Sequence, residues 1–396
     1  DLAQTDITSK KLNNVINWRD YSVKQGETVQ YDGGVTTGAE AHNYLNIVTG
    51  ANTSNINGKI KGGKNVYIVN PNGVIFGKSA EVNVGNLYVS TQAVPTVKKD
   101  ADMENNVSPL ATSAGLSDVV NMGKITADTV EVHGAHIRFL NAADVTTNGT
   151  ALAPVTIYTA SVASTVDEVD RGYAHIGYEG TTAPSNFTRG NTTSANPEYY
   201  KLVSNQTDLG NINTTNLAGN YMLAQDIDLG GAEHTPIGGN AYGAFTGKFD
   251  GNFFRIQNFK ISNNANNINS AGLFGEVSGG RIENLGVAKA TIHGKDGSSS
   301  HYAGGIAGHT AGNTILKNVY ATNDVRVDGR QERYGGIVGA TTYTVIDSAY
   351  SKAVIGTDSG GNVQGGGIMG LSDSHTVIRN TYSAATRPTD GKGVYF

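Results

Sequence analysis

Apolar residues along this chain fall in short alternating runs, and nowhere in the repeated part do they follow the three-to-four-residue spacing of a helix. Tyr221 to Leu229 puts Leu223, Ile227 and Leu229 on one strand face and Asp226 and Asp228 on the other. Downstream the pattern repeats. Ala271-Gly272-Leu273-Phe274-Gly275 recurs as Gly304 to Gly308, Gly335 to Gly339 and Gly366 to Gly370, so the closing glycines Gly275, Gly308, Gly339 and Gly370 stand 33, 31 and 31 residues apart. Seven or eight residues later a second block follows each time, at Ile282 to Gly286, Leu316 to Tyr320, Ile346 to Tyr350 and Ile378 to Tyr382. Two corresponding blocks in four units predict stacked units.

Short apolar strands with glycine at points of close backbone approach suit a parallel β-solenoid, with strands about 4.8 Å apart along the stack. A β-propeller is the competitor, but its blades run to ~40 residues or more. Asn284, Asn318 and Asn380 occupy one place in three units and predict a side-chain ladder along the stack. Composition agrees: 52 glycines and 40 asparagines in 396 residues, with charged residues at 16%, favour turns and strands over helices. A net charge of −5 provides no basic field for a nucleic-acid partner. No run approaches 18 apolar residues, so no helical membrane span is expected. The absence of cysteine excludes disulfides and thiolate sites. The opening Asp1-Leu2-Ala3-Gln4 lacks the charged-then-apolar pattern of a signal sequence, and the fourth repeat lacks a polar cap, which leads us to expect a longer parent protein.

The N-terminal half carries an ordered series. Val15-Ile16-Asn17-Trp18 leads to Gly26 to Tyr31, Leu45 to Gly50 and Ser54 to Ile60. Val66 to Val69 then runs into Asn70-Pro71-Asn72-Gly73-Val74-Ile75-Phe76-Gly77, with Val82 to Gly85 and Ser90-Thr91 completing the set. This order closely resembles the haemagglutination-activity, or two-partner secretion, domain of filamentous-haemagglutinin-like exoproteins, densely over residues 10 to 95 and thinly through Asn121 to Ile125 and Val130 to Val132. Residues 200 to 396 resemble the bacterial GLUG repeat family, which implies a surface module and no particular chemistry. A second secretion motif, Asn-Pro-Asn-Leu, is not present as written.

The expected fold is therefore all-β: a right-handed parallel β-helix with extra-helical β-hairpins and loops. Residues 1–200 form the secretion domain, and residues 201–396 form a repeat region that continues the helix. Val94 to Leu116, with Lys98-Lys99-Asp100, is expected to leave the coil. The Ser/Thr/Asn-rich stretch 179–198 reads as a boundary loop.

The resemblance implies a secreted or cell-surface protein of a double-membrane bacterium. A partner outer-membrane barrel would recognise it through periplasmic domains and thread it outward unfolded, where folding helps drive export. Asn70, Pro71, Asn72 and Gly73 would form the secretion motif, as a turn and as a contact. Trp18, the only tryptophan, reads as a core plug or N-terminal cap.

Function then reads as a monomeric adhesin binding a host-cell or bacterial surface receptor, glycans included, with no enzymatic activity, cofactor or metal. The alternatives are a carbohydrate-active enzyme using Asp226 and Asp228, with Asp250 nearby, and the stalk of a haem-scavenging or contact-dependent toxin exoprotein. No lysine or arginine accompanies those carboxylates in sequence. His133 and His136, three apart on one predicted strand, would face opposite ways and share no metal. His293, His301 and His309 read as a solvated loop around Gly294 to Ser300. Asn186-Phe187-Thr188 and Asn205-Gln206-Thr207 are glycosylation sequons by pattern alone.

Overall fold

A computed structural model describes residues 3–93, 109–148, 151–160, 172–239, 242–262, 268–294, 301–329, 333–356, 364–372 and 375–387. The expected excursion residues Lys98, Lys99 and Asp100 lie outside the described residues, as do residues 295–300 of the histidine loop. The chain divides into two compact units, Asp1–Tyr200 and Lys201–Phe396. Both are built from parallel strands, as an all-β solenoid requires.

In the first unit each coil lays one strand on each of three sheets. Two strands, β1 (Gln4–Ile7) and β2 (Asn13–Trp18), precede the first full coil of β3 (Thr28–Tyr31), β4 (Asn43–Val48) and β5 (Ser54–Ile56). The second coil is β6 (Lys59–Lys61), β7 (Asn65–Val69) and β8 (Val74–Phe76), and the third is β9 (Glu81–Asn83), β10 (Asn86–Ser90) and β11 (Val119–Asn121). The fourth follows as β12 (Lys124–Thr126), β13 (Thr129–His133) and β14 (His136–Phe139). Strands pair only with their counterparts in the coils before and after, for example β4 with β7 and β7 with β10. Inward residues such as Ile60, Val66, Val74, Val82, Leu87 and Ile137 are fully buried and make one continuous core.

An asparagine ladder runs up the middle sheet at the first position of each strand. Asn43 Nδ2 donates to Asn13 Oδ1 (2.7 Å), Asn65 Nδ2 to Asn43 Oδ1 (2.8 Å) and Asn86 Nδ2 to Asn65 Oδ1 (2.9 Å), and Thr129 Oγ1 closes the series on Asn86 Oδ1 (2.7 Å). Each such bond contributes about 1 kcal/mol and rejects a slip of register, because slipping would separate every pair at once. Trp18 lies half-buried on β2, packs edge-on against Tyr21 and donates from Nε1 to Asn46 Oδ1 (2.9 Å).

Between β10 and β11, Leu110 is buried against Leu45, Ile47, Tyr67 and Val69 on the outer face of the middle sheet. That sheet is thus apolar on both faces. Thr146, on a strand that continues the sheet of β12, also forms an isolated antiparallel bridge with Leu152. The stretch expected as a boundary loop includes a strand, Phe187–Arg189, which pairs in parallel with Val155–Tyr158.

In the second unit the strands that follow the glycine blocks recur every 31 to 33 residues, with Phe274 in register with Ala307, Ala307 with Val338 and Val338 with Met369. Each glycine block is a corner between two strands, not the single strand its composition suggests. Leu273, Ile306 and Ile337 point inward from these corners, fully buried. Phe245, Phe249 and Phe274 pack with ring centroids 5.3 Å apart in the same core. Among the described residues, the all-β pattern missed the helix α1 (Gln206–Thr215). It is capped by Asn205, whose side chain accepts from Asp208 N, and it buries Leu209 and Ile212.

Candidate functional site

The Asn70–Gly73 segment is a tight turn between β7 and β8. Gly73 N donates to Asn70 O (3.1 Å), and Gly73 has φ +109°, a conformation that disfavours any side chain. Asn70 is fully buried, and its side chain is spent on the protein itself. Nδ2 donates to Asn52 O (2.9 Å) and Ser54 Oγ (2.9 Å) of the preceding coil, and Oδ1 accepts from Asn72 N (3.0 Å). Asn70 N donates to Ser90 O (2.9 Å) of the following coil. One residue therefore fastens three consecutive coils.

Neighbouring bonds complete the clamp. Asn72 Nδ2 donates to Gly50 O (2.9 Å), Thr53 Oγ1 to Asn72 O (2.8 Å) and Ser117 Oγ to Pro71 O (2.7 Å). Val74 N donates to Asp118 O (3.2 Å). Ser90 ends β10 and Ser117 stands just before β11, so this turn also fastens both ends of the connection between them. Among the described residues of that connection, Leu116 N donates to Thr91 O (2.9 Å) and Gln92 Nε2 to Ala111 O (2.7 Å) and Ser113 O (2.9 Å). Pro71 is half-buried and Asn72 exposed, beside the surface pair His136 Nδ1 to Asp118 Oδ1 (2.8 Å). The turn was legible in the sequence, whereas Asn52, Ser54, Ser117 and Asp118 were not, since nothing local marks a partner one coil away.

The repeat glycines work by close approach. A Cβ on Gly275 would stand 2.4 Å from Gly238 O, and one on Gly308 would stand 2.6 Å from Ala271 N. On Gly339 it would meet Ala303 N and Gly308 O at 2.6 Å, and on Gly370 it would meet Tyr334 N at 2.6 Å. The ladder expected from Asn284, Asn318 and Asn380 is partial. Asn318 Nδ2 donates to Asn284 Oδ1 (3.0 Å) and Asn284 Nδ2 to Asp250 Oδ1 (3.0 Å), but Ser348 interrupts the series and Asn380 Nδ2 donates to Asp347 Oδ1 (2.9 Å).

The carboxylates are committed to turns. Leu223 and Ile227 belong to two strands, and Asp226 lies between them rather than on a shared strand face. Asp226 accepts from Arg255 N (3.0 Å) and pairs with Arg255 Nε (3.3 Å), so a basic partner absent from the local sequence arrives from the next coil. Asp228 accepts from Gly230 N (2.8 Å) and Asn258 Nδ2 (2.8 Å), which hold its carboxyl below the usual range. Asp250 is buried and accepts from Asn252 N (2.8 Å).

The histidines are dispersed. His133 and His136 sit on separate strands. His133 is buried between Ser113 O (2.7 Å) and Glu131 Oε1 (2.9 Å) and stacked on Tyr158, while His136 holds Asp118. His293 Nδ1 bonds Asp328 Oδ1 (2.7 Å), His309 stacks on Tyr302, and His301 is buried. Both sequon asparagines have structural bonds: Asn186 Nδ2 donates to Ala153 O (2.8 Å) and Asn205 caps α1.

Residues 2–300 match the family model described as the TPS secretion domain, a span that runs past residue 200. The chain is 30% identical over 148 residues to the heme/hemopexin-binding protein of Haemophilus influenzae, covering 36% of this chain and 16% of that protein. It is 33% identical over 172 residues to halomucin of Haloquadratum walsbyi, covering 41% of this chain and 2% of that protein. The chain thus spans less than a fifth of the length of these curated relatives. Among solved structures, the HMW1 secretion domain from Haemophilus influenzae matches at 13% identity over 97% of this chain and 95% of that one, with a TM-score of 0.29.

Proposed function

The chain belongs to the TPS secretion domain family, to whose model residues 2–300 conform, and from that premise we propose that it is the export-directing, surface-exposed part of a larger secreted adhesin. A cognate outer-membrane barrel transporter carries it across the outer membrane of a Gram-negative-type cell. The chain passes extended and folds outside as stacked coils. A sequence of 396 residues without cysteine suits that passage, because no disulfide loop can obstruct a narrow pore.

The observation that carries this reading is the Asn70–Gly73 turn. Its buried asparagine and left-handed glycine fasten three coils, while Pro71 and Asn72 remain at the surface within reach of a partner. Folding and recognition then fall to different residues of one motif. Asn70 and Gly73 serve the fold, and Pro71 and Asn72 serve the contact. We read the protein as a monomer, and as one without catalysis because Asp226 is paired with Arg255 and Asp228 is bonded to Gly230 and Asn258. Its receptor is a host-cell or bacterial surface.

Expression of the full chain behind a signal sequence, with and without the transporter, tests the route. Secretion should require the transporter, and equal secretion without it would overturn the proposal. Asn70→Ala and Asn72→Ala should each lower export more than Asp226→Asn.

A further inference from the structure

The second repeat block ends in Gly286, Tyr320, Tyr350 and Tyr382, and export has no use for these side chains. Strand register places them in one column, Arg255 beside Gly286, then Tyr320, Tyr350 and Tyr382, with one residue per coil. The residues just before them, Leu285, Val319 and Ala349, are buried in the core, so alternation turns the column outward. Tyr320 and Tyr350 are half-buried and Tyr382 is 61% exposed. The Tyr350 and Tyr382 rings lie nearly parallel, 5.8 Å apart. Tyr320 leans over Gly286, where a Cβ would stand 2.2 Å from its Cζ, and so the glycine makes room for the ring. Lys352 Nζ lies 5.5 Å from the Tyr350 ring centre, and the Arg255–Asp226 pair closes the other end.

We propose that this tyrosine column binds an acidic glycan chain, which deepens the adhesin reading and takes its biological sense from it. A stacked column turns its ring edges and hydroxyls outward, where they meet the C–H and hydroxyl groups of a sugar chain at little entropic cost. One ring per coil, about 4.8 Å apart along the stack, suits a repeating polymer better than a compact ligand. The exposed Lys352 ammonium, whose neighbours are the tyrosines themselves, selects carboxylate-bearing sugars over neutral ones.

Affinity electrophoresis of the full chain through gels containing polygalacturonate, or neutral dextran, tests this. The wild type should be retarded by polygalacturonate and not by dextran. The variant Tyr320→Ser/Tyr350→Ser/Tyr382→Ser should bind at least tenfold more weakly while keeping the wild-type β circular-dichroism spectrum. Lys352→Gln, on an exposed side chain, gives a second readout independent of folding and should weaken binding several-fold. No retardation of the wild type, equal retardation by dextran, or full retardation of the triple and Lys352→Gln variants would overturn the proposal. Cell attachment separates this from the adhesin reading. If the triple variant attaches as well as wild type, the column fails and the adhesin stands. If the wild type binds polygalacturonate through the column but attaches to no cell, the adhesin fails and the column stands.

Discussion

The two units stack coils by opposite means. In the first, successive rungs of the asparagine ladder are 30, 22, 21 and 43 residues apart, the last interval about twice the one before it. Coil length is free there, because specific side-chain bonds hold each coil to the next. In the second, the coil of the repeats stays within 28 to 35 residues. Register comes from shared backbone geometry: glycines at the close approach, and a residue in the left-handed region at Asn284, Asn318, Ser348 and Asn380 (φ 53°, 51°, 57° and 53°). Three of those four are asparagine, the residue other than glycine that visits this region most readily. The irregular unit can place a singular feature such as the Asn70 turn at one coil only. The regular unit presents the same outward position again and again. That division suits recognition by one partner in the first case and repeated surface contact in the second.

The comparison is most exposed at Asn70. Asn70→Ala strands Asn52 O, Ser54 Oγ and Asn72 N at once, and should cost about 3–4 kcal/mol of stability, read as a lower urea midpoint. Hydrogen exchange should show the opening confined to peptides of residues 1–200. Equal loss of protection in both units would end the claim that the first holds its information locally.

Acid should distinguish the units next. His234 is buried in the second unit, donates from Nε2 to Leu273 O (3.0 Å), and is pushed down to about 4 by burial. The unfolded chain takes up this proton near pH 6.5 and the folded one only near 4. Stability is therefore intact above pH 6.5 and falls as pH drops toward 4, by about 3 kcal/mol in total. Denaturation midpoints at pH 7 and pH 4.5 measure it, and His234→Phe should flatten the difference.

Gly339→Ala tests the shared geometry. Its Cβ would meet backbone on two sides, Ala303 N and Gly308 O, and about 2 kcal/mol should be lost. A variant with wild-type melting would show that the repeat tolerates slack there. The smallest effect belongs to Asn13→Ala at the end of the ladder, where one bond is lost, about 1 kcal/mol. If it matched Asn70→Ala, the ladder rather than the turn would be the main fastening of the first unit.

How much of this could be read along the chain follows from where each partner lies. The repeat period, the Asn70–Gly73 turn and the tyrosines at Tyr320, Tyr350 and Tyr382 were legible, because each is a local pattern recurring in or defining one coil. The Arg255–Asp226 pair was not, since its partners are 29 residues apart and meet only once a coil closes. The same holds for Ser54 and Ser117 around Asn70, and for the break in the Asn284–Asn318 ladder at Ser348. Helix α1, rich in Thr, Asn and Gly, carries little helical signal of its own and depends on the Asn205 cap and the burial of Leu209 and Ile212.

The sequence by itself determined that the chain folds as stacked parallel strands, where its tight turn lies and which positions recur, since alternation, glycine and turn chemistry act over a few residues. Only the tertiary structure decided which side chains of that turn are buried and which reach solvent, which carboxylates are already paired, and that Leu110 returns to cover the outer face of a sheet. Those outcomes depend on contacts between coils, and the distance along the chain to a neighbour in the next coil is set by loops whose sequence does not encode it.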